Sequence, residues 1–83
     1  MADSLNSIVS RYKQTQKGRE VIAIYNGGDN YLLSTAPIGL KSNDINTDPY
    51  YVCDKSGNRF APFDPIRNAK WYKQAMKNQV WHK

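Results

Sequence analysis

The sequence predicts a single α+β domain, residues 1–83, in the order αββββα, with an antiparallel sheet of two hairpins packed by N- and C-terminal helices. Three observations predict it. Apolar residues recur at helical spacing near the N-terminus. Two pairs of β-branched and aromatic runs follow, each joined by a glycine-bearing turn. A second helical stripe then starts at a proline.

The first helix rests on Leu5, Ile8, Val9 and Tyr12, which share an arc of about 100°, the width of a core-facing stripe. Asp3 or Ser4 caps its start and Gly18 supplies the permissive position after its end, which places it at about Ser4 to Lys17. Glu20 to Tyr25 is rich in β-branched and aromatic residues, and Asn26-Gly27-Gly28-Asp29-Asn30 tolerates the positive φ of a tight reversal before Tyr31 to Thr35 returns. Glycines beside Asn and Asp also suit an anion cradle. No helix N-terminus and no P-loop lysine follow them, so a hairpin turn is expected. Strict alternation sets Val21, Ala23 and Tyr25 opposite Ile22 and Ile24, so both sides of this strand are apolar and both need cover. Helices split across the two faces would supply it. Helices sharing one face would leave the other to a loop, a second copy of the chain or a different protein.

Ala36 to Thr47 carries Pro, Gly, Asn and Asp without periodicity, and is either a functional loop or the crossover between the hairpins. Tyr50 to Asp54 and Arg59 to Phe63 form the second hairpin around Lys55-Ser56-Gly57-Asn58, and Pro62 assigns the last strand to a sheet edge. Asp64-Pro65 opens the second helix. The carboxylate accepts from free backbone N–H groups at the positive end of the helix dipole, and proline at the first helical position loses no bond. Ile66, Ala69, Tyr72, Met76 and Val80 then mark its core face.

Charge is distributed unevenly. The net +5 divides into +2 over residues 1–20, −3 over 21–54 and +6 over 55–83. A basic patch of this kind fits an acidic protein surface or nucleic acid, although a solvated lysine face is its commoner cause. At this length the chain buries only about 60–65% of its unfolded surface, which favours a binding surface over a deep catalytic cleft. The single cysteine, Cys53, forms no internal disulfide, and the first residues do not resemble a secretory signal, so a cytoplasmic location is the expectation. The longest apolar run, Val21 to Tyr25, is far short of the ~20 residues of a membrane helix.

No catalytic, cofactor or metal signature stands out. Cys53 lies within a strand, where an inert buried thiol is expected, and His82 is penultimate and expected to fray. Asp48, Asp54 and Asp64 have turn and cap duties, and with Asp44 they miss the calcium-loop spacing. The chain is therefore expected to be a binding protein, not an enzyme. Its candidate surface is the second helix. Lys70, Lys73 and Lys77 lie at spacings of three and four, Trp81 continues their line, and Arg67 flanks it. Trp71 falls off the apolar face beside Ala75 and Asn78, either packed on a loop or anchoring a partner. Three readings follow: a non-catalytic module binding an acidic protein, a sequence-independent nucleic-acid binder using the same lysines, and a homodimer formed through the second sheet face.

Asp48, Pro49, Tyr50 and Tyr51, the Lys55-x-Gly57 turn, and Phe63-x-Pro65 before the last helix resemble the C-terminal half of small proteins of bacteria and their phages, some of them toxin-neutralising. The resemblance implies a non-enzymatic protein, such as an inhibitor, adaptor or accessory protein, that binds another protein. The basic balance here departs from the acidic one of proteins that neutralise nucleases, which argues against that particular role.

Overall fold

The computed structural model describes residues 2–39 and 50–83. They form α1 (Ala2–Thr15), β1 (Arg19–Asn26), β2 (Asn30–Pro37), β3 (Tyr50–Asp54), β4 (Phe60–Phe63), α2 (Ala69–Ala75) and β5 (Gln79–His82). The strands make one antiparallel sheet in the order β4-β3-β2-β1-β5. The α+β class is as the sequence predicts. The order differs by a fifth strand. Most of the segment Ala36 to Thr47, with Asp44, and also Asp48 and Pro49, lies outside the described residues; Ala36 and Pro37 themselves end β2.

α1 packs its stripe on one sheet face, where Ile8, Tyr12, Val21, Ile24, Leu33 and Cys53 form the buried core with Leu5, Val9, Tyr51 and Phe60 around it. Tyr12 is fully buried and meets the rings of Tyr51 and Phe60 edge-on at centroid distances of 5.4 and 5.5 Å. Each such aliphatic burial contributes about 1.5–3 kcal/mol, so this cluster is the main source of stability. The second hairpin is tied to α1. Gly57 has a φ of 73° and sits against Ile8, while Arg11 Nη1 donates to Asn58 Oδ1 at 2.7 Å and to the Ser56 carbonyl at 3.2 Å.

Strict alternation fails in β1. Val21 pairs with Thr35 and Ala23 with Ser34, so the register slips by one, a β-bulge at Ile22. Val21 and Ile24 thereby share the α1 face, correcting the expectation that they oppose each other. Ala23 and Tyr25 are left to the other face. That face is crossed by α2, whose Tyr72 ring meets Tyr50 at 5.4 Å and Phe63 at 6.3 Å, so the two helices do split across the sheet.

The C-terminal third departs most from expectation. Asp64-Pro65 opens a turn instead of a helix: Asp64 Oδ1 accepts from the Ile66 N–H at 3.0 Å, and the first bond of α2 runs from the Tyr72 N–H to the Asn68 carbonyl at 2.8 Å. Ile66, expected in the core, is therefore 87% exposed. The chain turns out of α2 at Met76–Asn78, and residues 79–82 pair with the free edge of β1, Ile24 with Trp81 and Ala23 with His82. Val80 is the extra residue between paired positions and is 43% exposed instead of buried. Helical spacing at 76 and 80 was real but weaker than the unpaired edge of β1, whose backbone groups need partners.

Candidate functional site

α2 is a bar laid across one sheet face, and its two sides have separate tasks. Trp71, Tyr72, Ala75 and Met76 turn toward the sheet, while Lys70, Lys73 and Gln74 are exposed on the outside, joined by Arg67 before the helix and Lys77 after it. Among the described residues the only carboxylate engaged by these cations is Asp64, 3.6 Å from Arg67 Nε in an exposed pair. Such a pair contributes little. Lys70 and Lys73 are one helical turn apart, and Lys77 extends the row to roughly 10 Å at 1.5 Å per residue.

The two tryptophans do not belong to that row. Trp81 lies in β5 and packs at the margin of the α1 core, its indole N–H donating to Asn6 Oδ1 at 3.0 Å. It is on the opposite side of the sheet from the lysines, because the chain leaves the helix before reaching it. Trp71 is half-buried and packs on Phe63 with centroids 4.9 Å apart, over the backbone of Gly27. Of the six residues that the sequence singles out, Arg67, Lys70, Lys73 and Lys77 are exposed on α2 or at its ends, while Trp71 packs on Phe63 and Trp81 at the margin of the α1 core.

What the sequence did not reveal is the unfilled part of the sheet face beside α2. A concavity of about 580 Å³ opens there, floored by Ile22, Ala23 and Ser34. Tyr25 and Tyr50 line it too, together with Gln79, Tyr25's cross-strand partner, and with His82 and Lys83. Burial, then hydrogen bonding to Tyr72, pushes the Tyr50 phenol well above its ordinary range, and burial raises Tyr25 as well. Both phenols stay neutral hydrogen-bonding groups at physiological pH. Lys83 Nζ is held by the Glu20 carboxylate, and His82 is fixed in β5 instead of fraying. The only hint of this hollow in the sequence was the doubly apolar β1, because its depth depends on the bulge and on α2 being short.

A smaller hollow of about 300 Å³ lies at β3 and β4, and its lining includes both Asp54 and Arg59. Nearby, Cys53 is 2% exposed and its thiol is pushed up to about 12, chiefly by burial with the Asp54 carboxylate adding to it, which makes it a poor nucleophile. The Gly27-Gly28 turn is a hairpin turn whose amides are already used: Gly27 N–H donates to the Asn30 carbonyl and Gly28 N–H to Asn26 Oδ1. Among the described residues no group of three or more His, Cys, Asp or Glu side chains could hold a metal, and no helix is long and apolar enough to cross a membrane. Comparison with protein-family models, with curated proteins and with solved structures finds no match to this chain.

Proposed function

We propose that this protein is a non-catalytic binding module, an inhibitor, adaptor or accessory protein, whose partner presents an acidic protein surface to Arg67, Lys70, Lys73 and Lys77. The observation that carries this is the row itself. Four exposed cations stand on α2 and at its two ends, Lys70 and Lys73 within the helix and Arg67 and Lys77 flanking it, with Asp64 as the only carboxylate they engage among the described residues. Packing alone does not require them to be basic. Complementary charge of this sort steers encounter and selects partners more than it adds affinity.

Nucleic acid is the other polyanion that such a row fits. A protein partner is favoured because single-strand binders combine cations with rings on which bases stack, and here Trp71 is packed on Phe63 while Trp81 lies on the far side of the sheet. Charge reversal tests the surface: Lys70→Glu, Lys73→Glu and Lys77→Glu combined are expected to abolish binding to an acidic pentapeptide of glutamates, with the urea midpoint shifted little because all three sites are exposed. Unchanged peptide binding by the triple variant would refute the assignment. So would tight binding of a mixed-sequence oligonucleotide with a log–log salt slope of roughly −2 to −3, the value for about three phosphates.

A further inference from the structure

We infer that the 580 Å³ concavity between α2 and β5 is the anchor site of this surface, and that it takes a tyrosine or tryptophan side chain carried by the acidic partner segment. The site presupposes the acidic-partner function proposed above and adds to it a position and a residue class. Its volume falls within the roughly 300–1,000 Å³ of ligand-binding hollows. Ile22 and Ala23 offer an apolar floor, and the Tyr25 and Tyr50 rings offer edges against which an inserted ring packs with centroids ~4.5–7 Å apart.

The hydroxyls select among aromatic side chains. Ser34 is 7% exposed and stands beside the Tyr50 phenol, which hydrogen bonds to Ser34 and Tyr72. Each hydroxyl oxygen keeps acceptor capacity beyond those bonds, which a ring with a polar N–H or O–H tip can use and phenylalanine cannot. Tyrosine and tryptophan have that tip, and they are the residues most often found as interface anchors.

Charge identifies the segment that carries the ring. The hollow has no carboxylate in its lining, and Glu20 holds Lys83 at the rim. Lys77 lies two residues before the rim residue Gln79, hence within about 7 Å along the chain, and has no carboxylate partner among the described residues. An acidic segment lying over Lys73 and Lys77 therefore delivers its next side chain to the mouth. The smaller hollow pairs Asp54 with Arg59 in its lining, so it offers such a segment no net positive charge.

Two acetylated and amidated pentapeptides separate the anchor from the cation row: Glu-Glu-Trp-Glu-Glu and Glu-Glu-Ala-Glu-Glu, titrated by calorimetry with amide shifts followed by NMR. The tryptophan peptide is expected to bind at least about tenfold more tightly and to shift the amides of Ala23, Tyr25, Ser34 and Gln79. Gln79→Phe, at the exposed rim, and Ala23→Val, at the floor, are each expected to remove that advantage and leave the alanine peptide unaffected. Equal affinities for the two peptides would overturn the anchor site while the acidic-partner function stands. Binding of neither would overturn both. A tryptophan advantage that survives Gln79→Phe, which alters no packed position and so tests the site even if Ala23→Val fails to fold, would place the ring elsewhere and overturn the site.

Discussion

Gly27 lies under the Trp71 ring, where an added methyl would meet Cη2 at 2.9 Å and Cε2 at 3.1 Å. Its φ is not in the left-handed region, so alanine is acceptable to the backbone and the only obstacle is the indole. Gly27→Ala is therefore expected to cost about 1–3 kcal/mol through overpacking, and to move Trp71 off Phe63 with a red shift of its emission. Trp71→Ala should cost less in the Gly27→Ala background than in the native protein, because the clash is then gone. Additive losses in urea titrations of the two single variants and the double would show that the indole does not rest on this glycine. The same contact explains why Trp71 looked like a surface anchor in the sequence. Its place on the helix wheel was off the core stripe, but Gly27 and Phe63, distant along the chain, convert that position into a packed one.

At the scale of elements, α1 and the two hairpins were legible because each announces itself locally: a helical stripe ended by Gly18, and glycine-bearing turns between β-rich runs. Two features were not. The bulge at Ile22 reassigns the faces of β1, and nothing in five consecutive apolar residues marks where the slip occurs. β5 was read as helix because Met76 and Val80 keep a four-residue spacing, while the open edge of β1 that captures the segment lies more than fifty residues earlier in the chain. Asn78 marks the change: its carbonyl accepts from the Asn26 N–H at 2.8 Å, and at the far end the Lys83 N–H donates to the Ile22 carbonyl at 3.0 Å. A chain ending at Asn78 is accordingly expected to lose the cover over Ile24 and Trp81's packing on the core, about 3 kcal/mol on the scale of large-to-small aromatic losses. Its bared β1 edge should also self-associate in light scattering. A truncated chain with an unchanged urea midpoint would rule out a structural role for β5.

The described residues form a sheet with a helix on each face, and the titratable groups buried among them include phenols and a thiol. This is why the proposed binding surface was only half legible. Exposed lysines on α2 stay exposed in any packing, whereas the anchor hollow exists only once bulge, short helix and fifth strand are assembled. The same interior sets the response to pH. Tyr12, Tyr25 and Tyr50 are raised above their ordinary value of 10.0 and Cys53 from 9.0 to about 12, in every case chiefly by burial. A raised pKa means that the native state holds its proton more tightly than the unfolded chain. The unfolded state therefore ionises first as pH rises, and stability falls. Stability is expected to be unaffected by these groups below about pH 9, and then to decline as pH climbs from the thiol's ordinary value toward 12. Cys53, nearly inaccessible, steepens that decline by up to about 1.4 kcal/mol per pH unit while only its unfolded form is ionised. Urea midpoints measured from pH 8 to 11 should fall along this limb, and Cys53→Ala should flatten its lower part whatever the variant costs at neutral pH. A midpoint that falls equally steeply in Cys53→Ala would mean that the thiol titrates alike in both states, and the decline would then belong to the tyrosines alone.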